Sequence, residues 1–200
     1  MSRSFKTGAR GAGHGVRMSD IADRYDRLAD DFASTIAAVL DDAWSSPLPC
    51  EGWTARDVVA HLVDNHRLFE GFVGRELGDV PSADDDPAAA FAAARAVVSG
   101  HLHDPVAAEA AFVGEVFGPM TFAEGIDRFV AFDLLVHRWD LARAAGLDVT
   151  LPADEVARAR EAALAMGDAV RGPGGFGPEV PAPEDADDQT RLLAFLGRKA

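Results

Sequence analysis

The chain has a single cysteine, Cys50, so no internal disulfide can form and packing alone must hold the fold. A lone thiol points to a reducing compartment, and the cytoplasm is the expected location. Lysine is almost missing too, with only Lys6 and Lys199, and 19 basic residues face 33 acidic ones for a net charge of −14. Such a balance repels phosphate backbones and anionic lipid, which removes nucleic acid and membrane surfaces from the expected partners. No run of about eighteen apolar residues occurs, so no segment is expected to cross a bilayer. Patterns that read as strand are scarce, and there is no internal repeat.

What is present is a chain of 200 residues, 48% hydrophobic, which suits one domain with a substantial core. Residues 1–17 carry four basic residues and no acid, unlike everything after them. They are expected to be a disordered extension before a domain over 18–200. Ile21, Tyr25, Leu28, Phe32, Ile36 and Val39 step by threes and fours, predicting a helix from Ile21 to Leu40. Thr54 and Asp57 approximate a capping box for a helix from Ala55 to Leu77. Asp86 and Pro87 fit the N-cap and first position of a third, reaching Leu102. Residues 103–120 read as an irregular or extended link. Thr121 and Glu124 form a capping box for a long helix that Gly146 ends, and further helices are expected over 153–170 and 187–196. Together these predict an all-α four-helix bundle with short additional helices.

The stretch FDLLVHRWDLARA, residues 132–144, is apolar nearly all round, the mark of a central helix. Yet one arc of it holds Asp133, His137 and Asp140. Burying an acid and an imidazole costs several kcal/mol unless something satisfies them. They can pair with each other or with an arginine. Alternatively they share a ligand with His61, at the apolar edge of the second predicted helix, where a histidine is otherwise a core residue. Two histidines and one carboxylate are a donor set for zinc or non-haem iron, and Asp133 and His137 at i and i+4 can reach one ion. Asn65, one turn beyond His61, can face the same cavity, and Asp140 can hydrogen-bond a ligand or orient the bundle. His66 reads as packing, and Trp53 and Trp139 as core and loop anchors. His101 and His103 read as an exposed pair, and Cys50 as a loop thiol without a role. GPGGFG follows a predicted helix, not a strand, and is no dinucleotide loop.

Three blocks, LPCEGWTARDVVAHL, FDLLVHRWDLARA and RGPGGFGPEVPAPEDADDQTRLLAFLGR, resemble in order and spacing the actinobacterial metal-binding branch of the DinB-like superfamily. This is the group related to the N-terminal domain of mycothiol-dependent maleylpyruvate isomerase. The resemblance runs from Met18 to Arg198. It implies a DinB-like bundle holding a divalent metal on His61, Asp133 and His137, with Asp133 where the isomerase relatives carry Glu. Zinc is the expected ion, with Ni2+, Fe2+ or Mn2+ as alternatives. The activity it implies is activation of a low-molecular-weight thiol of the mycothiol type for S-transfer to an electrophile. The isomerase has a further C-terminal domain in its active site. The roughly fifty residues after the last core helix here are too few to match it, so maleylpyruvate isomerisation itself is not expected. A non-catalytic metal- or ligand-binding bundle and a zinc-dependent hydrolase of a small molecule are the alternative readings. Pairing of two copies through bundle faces stays open.

Overall fold

A computed structural model describes residues 17–49, 52–114, 118–171 and 175–199. The residues 1–16 of the expected extension, and Cys50, lie outside the described residues. The elements are α1 (Met18–Ala38), α2 (Ala55–Phe72), α3 (Pro87–His103), α4 (Pro105–Ala108), β1 (Ala111–Gly114), β2 (Gly118–Thr121), α5 (Phe122–Gly125), α6 (Ala131–Ala144), α7 (Ala153–Met166) and α8 (Asp188–Phe195). Short 3-10 turns cover Asp41–Ser45 and Gly167–Arg171. The fold is all-α of the DinB-like kind, with a single small hairpin among the described residues.

Four helices make the bundle. α1 packs against α3 and α6, and α2 packs against the same two, so His61 and His137 stand on neighbouring helices. The reason is the apolar spacing: Ile21, Tyr25, Leu28, Phe32 and Ile36 are all buried along one side of α1. Phe32 meets Phe91 of α3 with ring centroids 4.9 Å apart. The local start signals act as the sequence predicts. Thr54–Asp57 and Thr121–Glu124 both close reciprocal capping boxes, and Asp86 caps α3 with Pro87 in its first turn.

The second helix stops at Phe72, five residues before the expected Leu77. Gly74 takes φ of +71°, and the Arg75 amide donates back to the Glu70 carbonyl while Gly74 donates to Gly71. That left-handed ending satisfies the last carbonyls and turns the chain out of the helix. The link 103–120 is more ordered than its composition suggests. α4 is followed by an antiparallel hairpin in which Phe112 pairs with Met120. The expected helix over 153–170 closes at Met166 and tightens into the 3-10 turn.

The long helix after Thr121 is not uniform. Between α5 and α6 the residues Ile126–Val130 form a π turn, where the Ala131 amide donates to the Ile126 carbonyl five residues back. Arg24 on α1 braces this turn, donating to the Asp127 carbonyl at 2.8 Å and to its carboxylate at 2.7 Å. The same guanidinium grips buried Glu155 of α7 at 2.8 and 2.6 Å, tying three elements together. Burial works against the charge of Arg24, and Glu155 and Asp127 more than restore it, raising its pKa.

His66 is packing, as predicted, with a specific role. Its Nδ1–H donates to the Leu62 carbonyl, so Nε2 accepts from the Tyr25 hydroxyl at 2.8 Å. Full burial keeps the ring neutral and pulls its pKa down from 6.5 to about 4. In the unfolded chain the ring takes up a proton near 6.5, so stability is complete above that value and is lost as pH falls toward 4. Between pH 7 and 5 this one group is expected to cost about 2 kcal/mol. Urea unfolding would show the loss, and an NMR titration of the His66 ring would give a midpoint near 4. A ring titrating near 6.5 would contradict it.

Candidate metal centre

His61 reaches the site from the middle of α2, while Asp133 and His137 come from successive turns of α6. One ligand atom from each lies within 4.8 Å of the others, a spacing at which a single ion can touch all three. His61 Nε2 and Asp133 Oδ2 stand 3.4 Å apart. Both are acceptors, and both receive the same amide: Asn65 Nδ2 is 3.0 Å from the ring nitrogen and 2.5 Å from the carboxylate. Lone pairs converging on one electropositive group fit a cation, and the mixed nitrogen–oxygen donor set suits zinc and the neighbouring divalent metals. Asn65 therefore faces the cluster, as its place on α2 suggests.

The other histidine is held from behind. His137 Nδ1 lies 2.9 Å from Asp140 Oδ2, and a carboxylate partner makes that nitrogen the protonated one. The Nε2 lone pair is then left for a ligand, the arrangement in which an outer carboxylate fixes a metal-binding imidazole. Asp140 is fully buried. Burial opposes its ionisation, but hydrogen bonds from His137 and Arg198 outweigh it and hold its pKa at about 2. Its carboxylate thus contacts both the His137 ring and an arginine from the far end of the chain.

Arg198 grips Asp140 with Nε at 3.1 Å and Nη2 at 2.8 Å, from 58 residues further along the chain. Sequence reasoning gave this residue no role. Its placement follows from Gly197, which adopts φ of +86° just after α8 and lets the Arg198 amide bond back to Leu193. An added Cβ on Gly197 would sit 2.9 Å from the Gly177 carbonyl carbon and the Pro178 oxygen, so no larger residue fits. Glycine followed by arginine at the end of an apolar helical run was the available signal.

Rings close the surroundings. Trp53 packs on His61 at 4.8 Å and lies nearly parallel to His137 at 5.9 Å. Phe176 lies nearly parallel to His137 at 5.9 Å, edge-on to Phe132, and under the Arg198 guanidinium at 4.6 Å. Trp53 is thus more than the loop anchor it resembles in sequence. Above the cluster is a cavity of about 440 Å³ lined also by Pro49, Pro178 and Leu196. A larger hollow of about 850 Å³ lies elsewhere, between α1, the hairpin and α7, and contains none of these donors.

His101 and His103 do not form a pair. His103 is exposed and bonded to Asp26, whereas His101 is half-buried against the fully buried carboxylate of Glu70, 2.8 Å away. Glu70 also lies 2.8 Å from Arg75 Nε, so the expectation of two exposed imidazoles is corrected for His101.

Fold and cluster together define a DinB-like helical bundle with a two-histidine, one-carboxylate cluster at a cavity floor. The chain belongs to the mycothiol maleylpyruvate isomerase N-terminal domain family, whose sequence pattern matches residues 25–142. That span includes His61, Asn65, Asp133, His137 and Asp140, while Phe176 and Arg198 lie beyond it. The chain is also 33% identical over 182 residues to uncharacterized proteins from two strains of Mycobacterium tuberculosis, covering 87% of this chain and 95% of each relative. No solved structure matches it. No helix among the described residues is long and apolar enough to cross a membrane.

Proposed function

We propose that the chain is a zinc-dependent enzyme that activates a low-molecular-weight thiol, of the mycothiol type, for transfer to an electrophile. The observation that carries this reading is the convergence of His61, Asp133 and His137 at the floor of an open cavity. Three protein donors are the complement of a catalytic zinc, which keeps a fourth position for a ligand, whereas structural sites are closed by four. A bound divalent ion supplies one thing: it holds a coordinating thiol as thiolate at neutral pH. The chain does the rest. Asn65 fixes the Asp133 carboxylate, Asp140 fixes the His137 ring, and Trp53 and Phe176 shield the donors from bulk water. The family membership supports a mycothiol-related reading independently of the geometry.

The test is metal removal. Full-length protein stripped by chelation and then reloaded with zinc is mixed with mycothiol and 1-chloro-2,4-dinitrobenzene at pH 7. Complete thiolate formation alone accelerates conjugation roughly thirtyfold over a free thiol of ordinary pKa. The reloaded protein is expected to reach at least that gain and the stripped protein to show none. Equal rates in the two samples would sink the reading.

A further inference from the structure

The donors of the cluster and the walls of its cavity come from different parts of the chain. His61 is on α2 and Asp133 and His137 are on α6, while residues 175–178 and 196–198 make most of the wall and supply none of the three donors. Two contacts join these walls to the cluster. The Phe176 ring lies nearly parallel to His137 and has the Arg198 guanidinium 4.6 Å from its centre. Arg198 in turn forks onto Asp140, the carboxylate that fixes His137 Nδ1. The two wall stretches also lock to each other. Val180 donates to the Ala194 carbonyl at 2.9 Å, and Gly197, at φ of +86°, leaves no room for a Cβ beside Gly177. Leu192, Leu193 and Leu196 bury one end of this segment, but residues 177–185 are exposed apart from half-buried Val180. With so little apolar burial, the contacts at Phe176, Gly197 and Arg198 carry the attachment of the loop.

We propose that metal binding and the seating of residues 176–198 over α6 are one linked equilibrium. Seated, the segment backs the His137 ring with Phe176 and holds Asp140 in the fork of Arg198, so the imidazole keeps one tautomer and one direction. Lifted, it leaves the ring free to turn. A site whose imidazole is preset binds its ion more tightly. By reciprocity, an ion that favours the seated form holds the segment down by the same factor. Phe176 and Arg198 are positioning residues, each acting on the ion through His137 or Asp140. The linkage rests on the metal reading of the cluster and is independent of thiol transfer.

The experiment uses Gly197→Ala in the full-length chain, which alters neither a donor nor Asp140 and places a Cβ against Gly177 and Pro178. Its zinc affinity, read by competition with a chromophoric chelator, is expected to fall roughly tenfold with helical content unchanged. In the wild type, saturating zinc is expected to slow amide hydrogen exchange at Val180 and Arg198 by a matching factor. The hairpin amides, which contribute nothing to the cluster, serve as the control and are expected to stay as they were. Gly197→Ala binding zinc like the wild type, or exchange at Val180 and Arg198 indifferent to zinc, would overturn the linkage. Should Gly197→Ala fail to fold, the wild-type exchange decides alone. Wild-type protein that takes up no zinc removes the metal reading and the linkage with it, whereas zinc bound without either effect removes the linkage only.

Discussion

Alanine at either His61 or His137 is expected to reduce zinc affinity by at least about a hundredfold while leaving the bundle folded. Structural zinc sites are worth about 10–16 kcal/mol over four ligands, so one ligand accounts for roughly 3 kcal/mol. His61 is suited to the test because its ring is part-exposed and its nearest polar contacts, Asn65 and Asp133, can turn to water. His137 is the harsher case, since it is buried between Trp53 and Phe176 and its loss takes a hydrogen-bond partner from buried Asp140. The measurement is elemental analysis of purified wild type and both variants, followed by competition with a chromophoric chelator. Near-stoichiometric zinc in the wild type and none in either variant is the expected result. Wild-type protein that stays metal-free after incubation with zinc would reduce the cluster to a hydrogen-bonded Asp–Asn–His group.

Asp140→Asn is expected to act on two measurements at once. Removing a carboxylate behind a metal-binding imidazole typically costs 10- to 100-fold in affinity, and the same loss is expected here. The amide also takes the Asp140 charge away from Arg198, which is 3% exposed. Breaking a buried pair from one side is destabilising by about 3–5 kcal/mol, which urea unfolding would read directly. Pairing Asp140→Leu with Arg198→Met separates the two effects. Stability should largely return, because an apolar pair of similar volume is tolerated, while zinc affinity should stay low. Recovery of both would mean that His137 does not depend on Asp140. The depressed pKa of Asp140 sets the pH limit: its contribution is whole above about 3.8 and disappears as pH falls through about 2.

Much of this architecture was legible because it rests on local rules. The capping boxes at Thr54 and Thr121, the Asp86–Pro87 start and the one-sided apolar spacing of α1 each specify a helix without outside help. The cluster was legible for a different reason: Asp133 and His137 are misplaced in an apolar helix unless they share a purpose. What sequence spacing could not carry were the partners supplied by chain distance. Arg198 is an ordinary arginine until Gly197 turns it onto Asp140, and Phe176 sits in a proline- and glycine-rich stretch with no periodicity at all. The hairpin at 111–121 was obscured by its short strands, too few residues each for an alternation to register. His101 was misjudged because its partner, Glu70, is on another helix.

The π turn at Ile126–Val130 also escaped notice, since one extra residue leaves buried apolar positions on both sides of it. Its consequence concerns insertions and deletions. Gly125 is pinned upstream, with the Phe69 ring 2.7 Å from where a Cβ would stand, and the Thr121 box anchors the helix start. The wide turn holds one residue more than an α turn, so deleting a single codon within 126–130 would close it into an unbroken α-helix and leave everything downstream on nearly its present face. Asp133, His137 and Asp140 would go on facing the cavity. For the lineage that carries this helix, the π turn is a place where length can change by one residue without the donor set being lost.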